Sequence, residues 1–178
     1  QKRTRVLKRG QAVVDLGAWP GGWLQVAAEI VGPSGRIVGV DAAAIEPLPV
    51  SHVTVLRDDV TDPACGSRLL AVLERNADVV LSDLAPKLTG IGPRDAAQSE
   101  RLAEATRRIT SEVLRPGGTL VTKTLGGPEG EAARAAHAPK GSRRRVAAGV
   151  GLRDQGATLP AHGRPRGRRR RMRSPVGP

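Results

Sequence analysis

The chain has 178 residues and a formal net charge of +12, with one cysteine, three histidines, two tryptophans and neither phenylalanine nor tyrosine. That length suits one domain with a sizeable core, and a lone Cys65 excludes an internal disulfide and a cysteine-cluster metal site. His52, His137 and His162 lack ligand spacing, no apolar stretch reaches the ~18 residues that span a bilayer, and Gln1-Lys2-Arg3 leads toward a strand rather than a secretory leader. A monomeric cytoplasmic protein without metal or membrane attachment is therefore expected.

The apolar run from Ala12 ends in Asp15 and breaks into Gly17-Ala18-Trp19-Pro20-Gly21-Gly22, the pattern of a strand feeding a nucleotide-binding turn. The dinucleotide fingerprint fails at residue 19, where the bulk of Trp19 opposes a pyrophosphate approaching the backbone, and this argues against a nicotinamide dinucleotide. A cofactor with an adenosine end and no phosphates, S-adenosylmethionine, suits the loop, which points to methyl transfer.

Leu24, Ala27, Ala28 and Val31 then repeat at the spacing of one helix face, and Gly32-Pro33-Ser34-Gly35 stops the helix. Arg36 to Asp41 reads as a second strand, so the opening unit is βαβ with parallel strands. The alternation continues with a strand over 52–56, a helix over 64–73, a strand over 78–81, a helix over 98–114 and a strand over 119–122. The class is a doubly wound, mostly parallel α/β sheet of Rossmann type, and the apolar strands Ala12-Val13-Val14 and Val79-Val80-Leu81 fit burial on both faces.

From Glu131 the regularity disappears and Ala, Gly, Pro and Arg dominate. Residues 131–178 hold thirteen basic side chains against Glu131 and Asp154, so nearly all of the net charge belongs to this segment. The expected organisation is a folded domain over 1–130 and a disordered or divergent tail over 131–178, as a shifted reading frame would give. The run Arg168 to Arg171 is read first as a solvated segment and second as an electrostatic contact for RNA phosphates.

In an open α/β sheet the ligand lies beyond the carboxyl ends of the strands. Those ends carry Asp15 and Gly17, Asp41, the pair Asp58-Asp59, Asp83 and Lys123. Each acid alone would also serve as a helix cap, but five strand ends in register point to a site. Asp41 suits the two hydroxyl donors of an adenosine ribose, and Asp59, with Asp58 as its rival, suits the adenine amino group. Trp23 and Trp19 are open between pocket wall and core. The loop Lys87 to Pro93 suits a lip over substrate, and Lys123, near Asp83 if their strands are neighbours, suits a general base for a weakly acidic hydroxyl.

At these residues the chain resembles the FtsJ (RrmJ) family of ribosomal RNA 2′-O-ribose methyltransferases. The resemblance rests on Asp15-Leu16-Gly17-Ala18-Trp19-Pro20-Gly21-Gly22-Trp23, on Ser82-Asp83-Leu84-Ala85-Pro86 with Gly90 and Asp95, and on Pro116-Gly117-Gly118 leading to Lys123 and Gly126. It implies that Gly21, Trp23, Asp41, Asp59 and Asp83 bind S-adenosylmethionine, that Lys123 accepts the proton of the target ribose hydroxyl, and that the substrate is a uridine of large-subunit ribosomal RNA in the assembled subunit. The family's catalytic tetrad is Lys, Asp, Lys, Glu. Asp83 and Lys123 match its middle members, whereas Lys2 and Lys8 lack the setting of the first and Glu129 and Glu131 fall too early for the last. The alternative is a catalytically incomplete RNA-binding remnant of that family. A base-amino methyltransferase is disfavoured because Leu84 and Ala85 offer no aromatic to stack a flipped base.

Overall fold

The computed structural model describes residues 6–86, 89–124 and 145–150. Lys2, Lys87, Leu88, Gly126, Glu129, Glu131 and the Arg168 to Arg171 run lie outside the described residues. In chain order the elements are β1 Ala12–Leu16, α1 Gly22–Val31, β2 Arg36–Asp41, β3 Val53–Arg57, α2 Cys65–Leu73, β4 Ala77–Ser82, α3 Gly92–Val113, β5 Leu114–Thr124 and β6 Arg145–Val150.

The strands form one sheet in the order β3-β2-β1-β4-β5-β6, and each neighbouring pair is parallel. Strand alternation sends side chains to two cores, because successive residues point to opposite faces. Ala12, Val14 and Leu16 of β1 join Val38, Val80, Leu69, Leu73, Ile109 and Val113 on the α2/α3 side. Val13 joins Ile37, Val79, Leu81, Leu24, Ala27 and Val31 on the α1 side. Helices therefore cover both faces, as the near-continuous apolar strands require. The strand order reverses between β1 and β4, which opens a crevice at their carboxyl ends.

Three elements differ from the sequence reading. α3 begins at Gly92 rather than residue 98, with Pro93 in its first turn and Asp95 favourable there. Its buried side chains start only at Ala105, so apolar periodicity could not reveal its polar opening turns. β5 starts at Leu114, directly after the helix, and a shift of register between Ala77 and Val79 of β4 accommodates the Pro116-Gly117-Gly118 stretch. β6 lies within the segment where little regular structure was expected. It pairs with β5 from Thr119↔Arg145 to Thr124↔Val150, a backbone ladder at the sheet edge that needs no apolar repeat to form.

Among the described residues no helix is long and apolar enough to cross a membrane, and no group of three His, Cys, Asp or Glu is placed to hold a metal.

Candidate functional site

The parallel register aligns the chemistry. Asp15 of β1 lies opposite Gly39 of β2 and Leu81 of β4, and Leu81 lies opposite Val121 of β5. All four share the α1 face, since Leu81 belongs to that core and Val121 packs against it. One period further toward the carboxyl ends come Asp41, Gly17, Asp83 and Lys123, so the crevice is edged by two acids, a gap at glycine and a lysine.

The expected approach of Lys123 to Asp83 is present. Lys123 Nζ donates to Asp83 Oδ2 at 3.0 Å and stands 3.0 Å from Oδ1 as well. The backbone of Asp83 is held in turn, its N–H donating to Leu16 O at 3.0 Å. Gly17 has φ +79°, and a Cβ there would meet Leu84 N at 3.1 Å and Asp83 C at 3.2 Å. Only glycine lets the two loops approach this closely.

Asp15 lies beneath that gap. It is fully buried, and neither carboxylate oxygen has a hydrogen-bond partner among the described residues. Burial, reinforced by the neighbouring charges of Asp83 and Asp41, pushes its pKa up to about 7. A buried acid without partners marks a place built for something other than stability. The sequence reading placed Asp15 at the strand end, but solitary burial has no sequence signal.

Asp41 Oδ2 accepts the Trp19 N–H at 3.0 Å and Oδ1 accepts the Ala43 N–H at 2.8 Å. Each oxygen keeps a second lone pair for a hydroxyl donor. Beyond this contact the loop turns into α1 at Gly21, whose φ is +109°. Trp23 stands in the first turn of α1, partly buried against the α1-side core, while the Trp19 side chain is 59% exposed at the rim.

The structure distinguishes Asp58 from Asp59. Arg68 of α2 takes both oxygens of Asp58, Nε to Oδ2 at 2.7 Å and Nη2 to Oδ1 at 2.9 Å, and the Arg68 hydrogen bonds hold the Asp58 carboxyl below the usual range. Asp59 uses Oδ1 alone, accepting Thr61 N–H and Thr61 Oγ1–H at 2.8 Å each, and its Oδ2 faces no donor among the described residues. The loop is further gripped by Arg108 of α3, which donates to the carbonyls of Val60 at 2.9 Å, Pro63 at 2.9 Å and Asp62 at 3.0 Å. Neither arginine was singled out from sequence. The available hint was a basic residue on α3 beside the buried Ile109.

On the opposite rim, Asp95 in the first turn of α3 organises the lip. Its Oδ1 accepts Thr89 N–H at 2.8 Å and Thr89 Oγ1–H at 2.7 Å, and its Oδ2 accepts Gly90 N–H at 3.1 Å. These bonds, the Thr89 N–H foremost, lower the Asp95 pKa.

The profile of the FtsJ-like methyltransferase family matches residues 1–143. The chain belongs to this family. Among its FtsJ-like relatives, the ribosomal RNA large subunit methyltransferase E of Syntrophobacter fumaroxidans is 48% identical over 129 residues, 72% of this chain and 65% of that protein. The protein of the same name from Halorubrum lacusprofundi is 46% identical over 134 residues, 75% of this chain and 50% of its own length. The matched part thus spans about half to two-thirds of these relatives. Two solved structures share the fold. A Plasmodium falciparum protein described as a ribosomal RNA methyltransferase superposes with a TM-score of 0.63 at 21% identity, covering 75% of this chain and 77% of that one. Aeropyrum pernix fibrillarin, solved with natively bound S-adenosylmethionine, gives 0.55 at 18% identity, covering 74% and 57%.

Proposed function

We propose that this FtsJ-like chain is an S-adenosylmethionine-dependent methyltransferase acting on a ribose 2′-hydroxyl, with a uridine of large-subunit ribosomal RNA as the target. The observation that carries this reading is the Lys123–Asp83 contact at 3.0 Å, which sets a proton acceptor and an acid beyond adjacent strands at the crevice where α/β sheets bind ligands. The names of the relatives support the RNA substrate. The domain expected over 1–130 supplies β1 to β5, and the basic segment 131–178 adds the edge strand β6 to the same sheet. A monomer working in the cytoplasm fits this reading.

The residues fit the cofactor. Asp41 has lone pairs left for two ribose hydroxyls, Asp59 Oδ2 suits the adenine amino group, and Gly21 with Trp23 lets the loop close over the adenosine end. Asp83 suits the cationic amino-acid end, and the partnerless Asp15 beneath it adds a further acid at a place where positive charge is favoured. When bound, S-adenosylmethionine supplies a methyl group activated on a sulfonium. Lys123, once its ammonium has released its own proton to solvent, would take the proton of the ribose hydroxyl at Nζ, and Asp83 would align Nζ for the task. The lip at Thr89 and Gly90, fixed by Asp95, borders the entrance for the nucleotide.

The test is transfer of labelled methyl groups from S-adenosylmethionine to large ribosomal subunits lacking the modification. Transfer to a ribose by the parent, lost in Lys123→Ala with cofactor binding retained, is the expected result. Cofactor binding without any transfer would favour the RNA-binding remnant, and transfer undiminished in Lys123→Ala would remove the assigned base.

A further inference from the structure

We propose that Arg108 is a positioning residue for the adenine end of the cofactor, fixing the loop that carries Asp59 and thereby setting the selectivity of the site for adenine over other bases. This rests on the reading of Asp59 as the acceptor for the adenine amino group. Three carbonyls in four consecutive loop residues, Val60, Asp62 and Pro63, converge on one guanidinium at 2.9 to 3.0 Å. An arginine presents a rigid planar fork of donors that a lysine cannot reproduce, so the fork fixes the loop in orientation as well as position.

Val60 packs into the core that Ala105 and Ile109 of α3 share, but beyond it at Thr61 the loop stands off the helix. A hollow of about 220 Å³, lined by Thr61 of the loop and by Arg101, Glu104, Ala105 and Arg108 of α3, separates them. Where side-chain packing is thin, the hydrogen bonds decide where the backbone lies. Val60 is buried and anchors one end of the segment. Arg68 grips Asp58 and Asp62 from α2. Arg108 therefore fixes the backbone on either side of Thr61, and the two Thr61 hydrogen bonds to Asp59 Oδ1 carry that position to the direction of Oδ2. A carboxylate discriminates an amino donor from a carbonyl acceptor only while it is held at the right place, because a displaced one accepts from water instead.

The experiment is calorimetric titration of S-adenosylhomocysteine and of S-inosylhomocysteine, in which a carbonyl replaces the amino group, into the full chain. Wild type, Arg108→Ala, Arg108→Lys and Asp59→Ala are compared, with thermal melts to show that each is folded. The parent is expected to prefer the adenosyl ligand by roughly tenfold to a hundredfold. Arg108→Ala contracts that preference by about tenfold through weaker adenosyl binding, with Arg108→Lys between the two. Arg108→Lys keeps the charge and a single donor nitrogen without the planar fork, so it serves if the alanine variant does not fold. An unchanged preference in both arginine variants, with the preference lost in Asp59→Ala, would overturn the role of Arg108 alone. A preference that survives Asp59→Ala would overturn the reading of Asp59 and the inference with it, and no binding of either ligand to the parent would overturn the proposed function itself.

Discussion

Lys123 and Asp83 meet across adjacent parallel strands because Leu81↔Val121 and Ser82↔Thr122 are in register, bringing Nζ to within 3.0 Å of the carboxylate one step beyond the ladder. The lysine side chain is 45% exposed, so its amine is open to a substrate from the crevice. Lys123→Ala is expected to lower the single-turnover rate of methyl transfer by roughly 10²–10⁴-fold while leaving cofactor affinity within a few-fold. Lys123→Arg retains the ion pair but not the proton acceptor, and is expected to be nearly as slow. Rapid-quench measurement with saturating cofactor checks both; a fast arginine variant would show that the charge matters and the proton transfer does not.

Asp15 makes stability depend on pH with a definite sign. Its folded pKa of about 7 lies above the ordinary 3.8, so the folded state holds a proton that the unfolded chain has released. The stabilising effect is complete below pH 3.8 and declines as pH rises to about 7, by about 1.4 kcal/mol per unit. Asp15→Asn removes this slope. Urea unfolding at pH 5 and pH 7.5 is expected to show the variant gaining on the parent at the higher pH, and parallel stability profiles for the two proteins would refute it.

Asp41 joins two parts of the site, since one carboxylate holds the Trp19 N–H of the glycine loop and the Ala43 N–H of its own turn. Asp41→Ala frees the loop and, on the proposed function, removes the ribose acceptor together with it. The expected effect on affinity for S-adenosylmethionine is a loss of roughly tenfold to a hundredfold, measured by calorimetric titration, with little change in melting temperature because the residue lies at the crevice rim. A drop in melting temperature with unaltered affinity would assign Asp41 to structure alone.

Much of this site was legible in the sequence because each strand ends on a chemically distinctive residue. The apolar runs ending at Asp15, Asp41 and Asp83 are short, buried and bounded by glycine or proline, so period and punctuation agreed on where the crevice should be. The parallel ladder then brought Lys123 to Asp83 without further information. What could not be read depends on side chains meeting across elements distant in the chain. Sequence favours Asp59 over its rival Asp58 but gives no physical ground to separate them, which Arg68, ten residues on, supplies by occupying Asp58. The grip of Arg108 on the Val60 carbonyl spans 48 residues, and backbone acceptors leave no trace in a sequence. The polar start of α3 and the edge strand β6 escaped for a related reason, since one is stabilised by Pro93 and by the Asp95 bonds to Thr89 and Gly90 and the other by a backbone ladder, and neither carries an apolar repeat.

At the other end of the sheet Asp78 is the counterpart of Asp15, a buried acid with every partner that Asp15 lacks. Its Oδ2 accepts the Ala12 N–H at 2.8 Å and Arg75 Nη2 at 3.1 Å, and its Oδ1 accepts Arg115 Nε at 2.6 Å. Burial opposes ionisation, yet the Ala12 N–H and the two arginines outweigh it and bring the carboxyl below its ordinary pKa. Asp78→Ala leaves the buried N–H at the start of β1 unpaired, while the half-exposed arginines return to water, so a loss of about 1–3 kcal/mol is expected. The pH dependence runs opposite to that of Asp15: the stabilisation is present above the unfolded value of 3.8 and is lost as pH falls below it. Asp78→Asn should therefore narrow its deficit against the parent between pH 5 and pH 3 in chemical denaturation. A deficit that widened on acidification would show that the carboxylate charge is not what holds this end of the sheet.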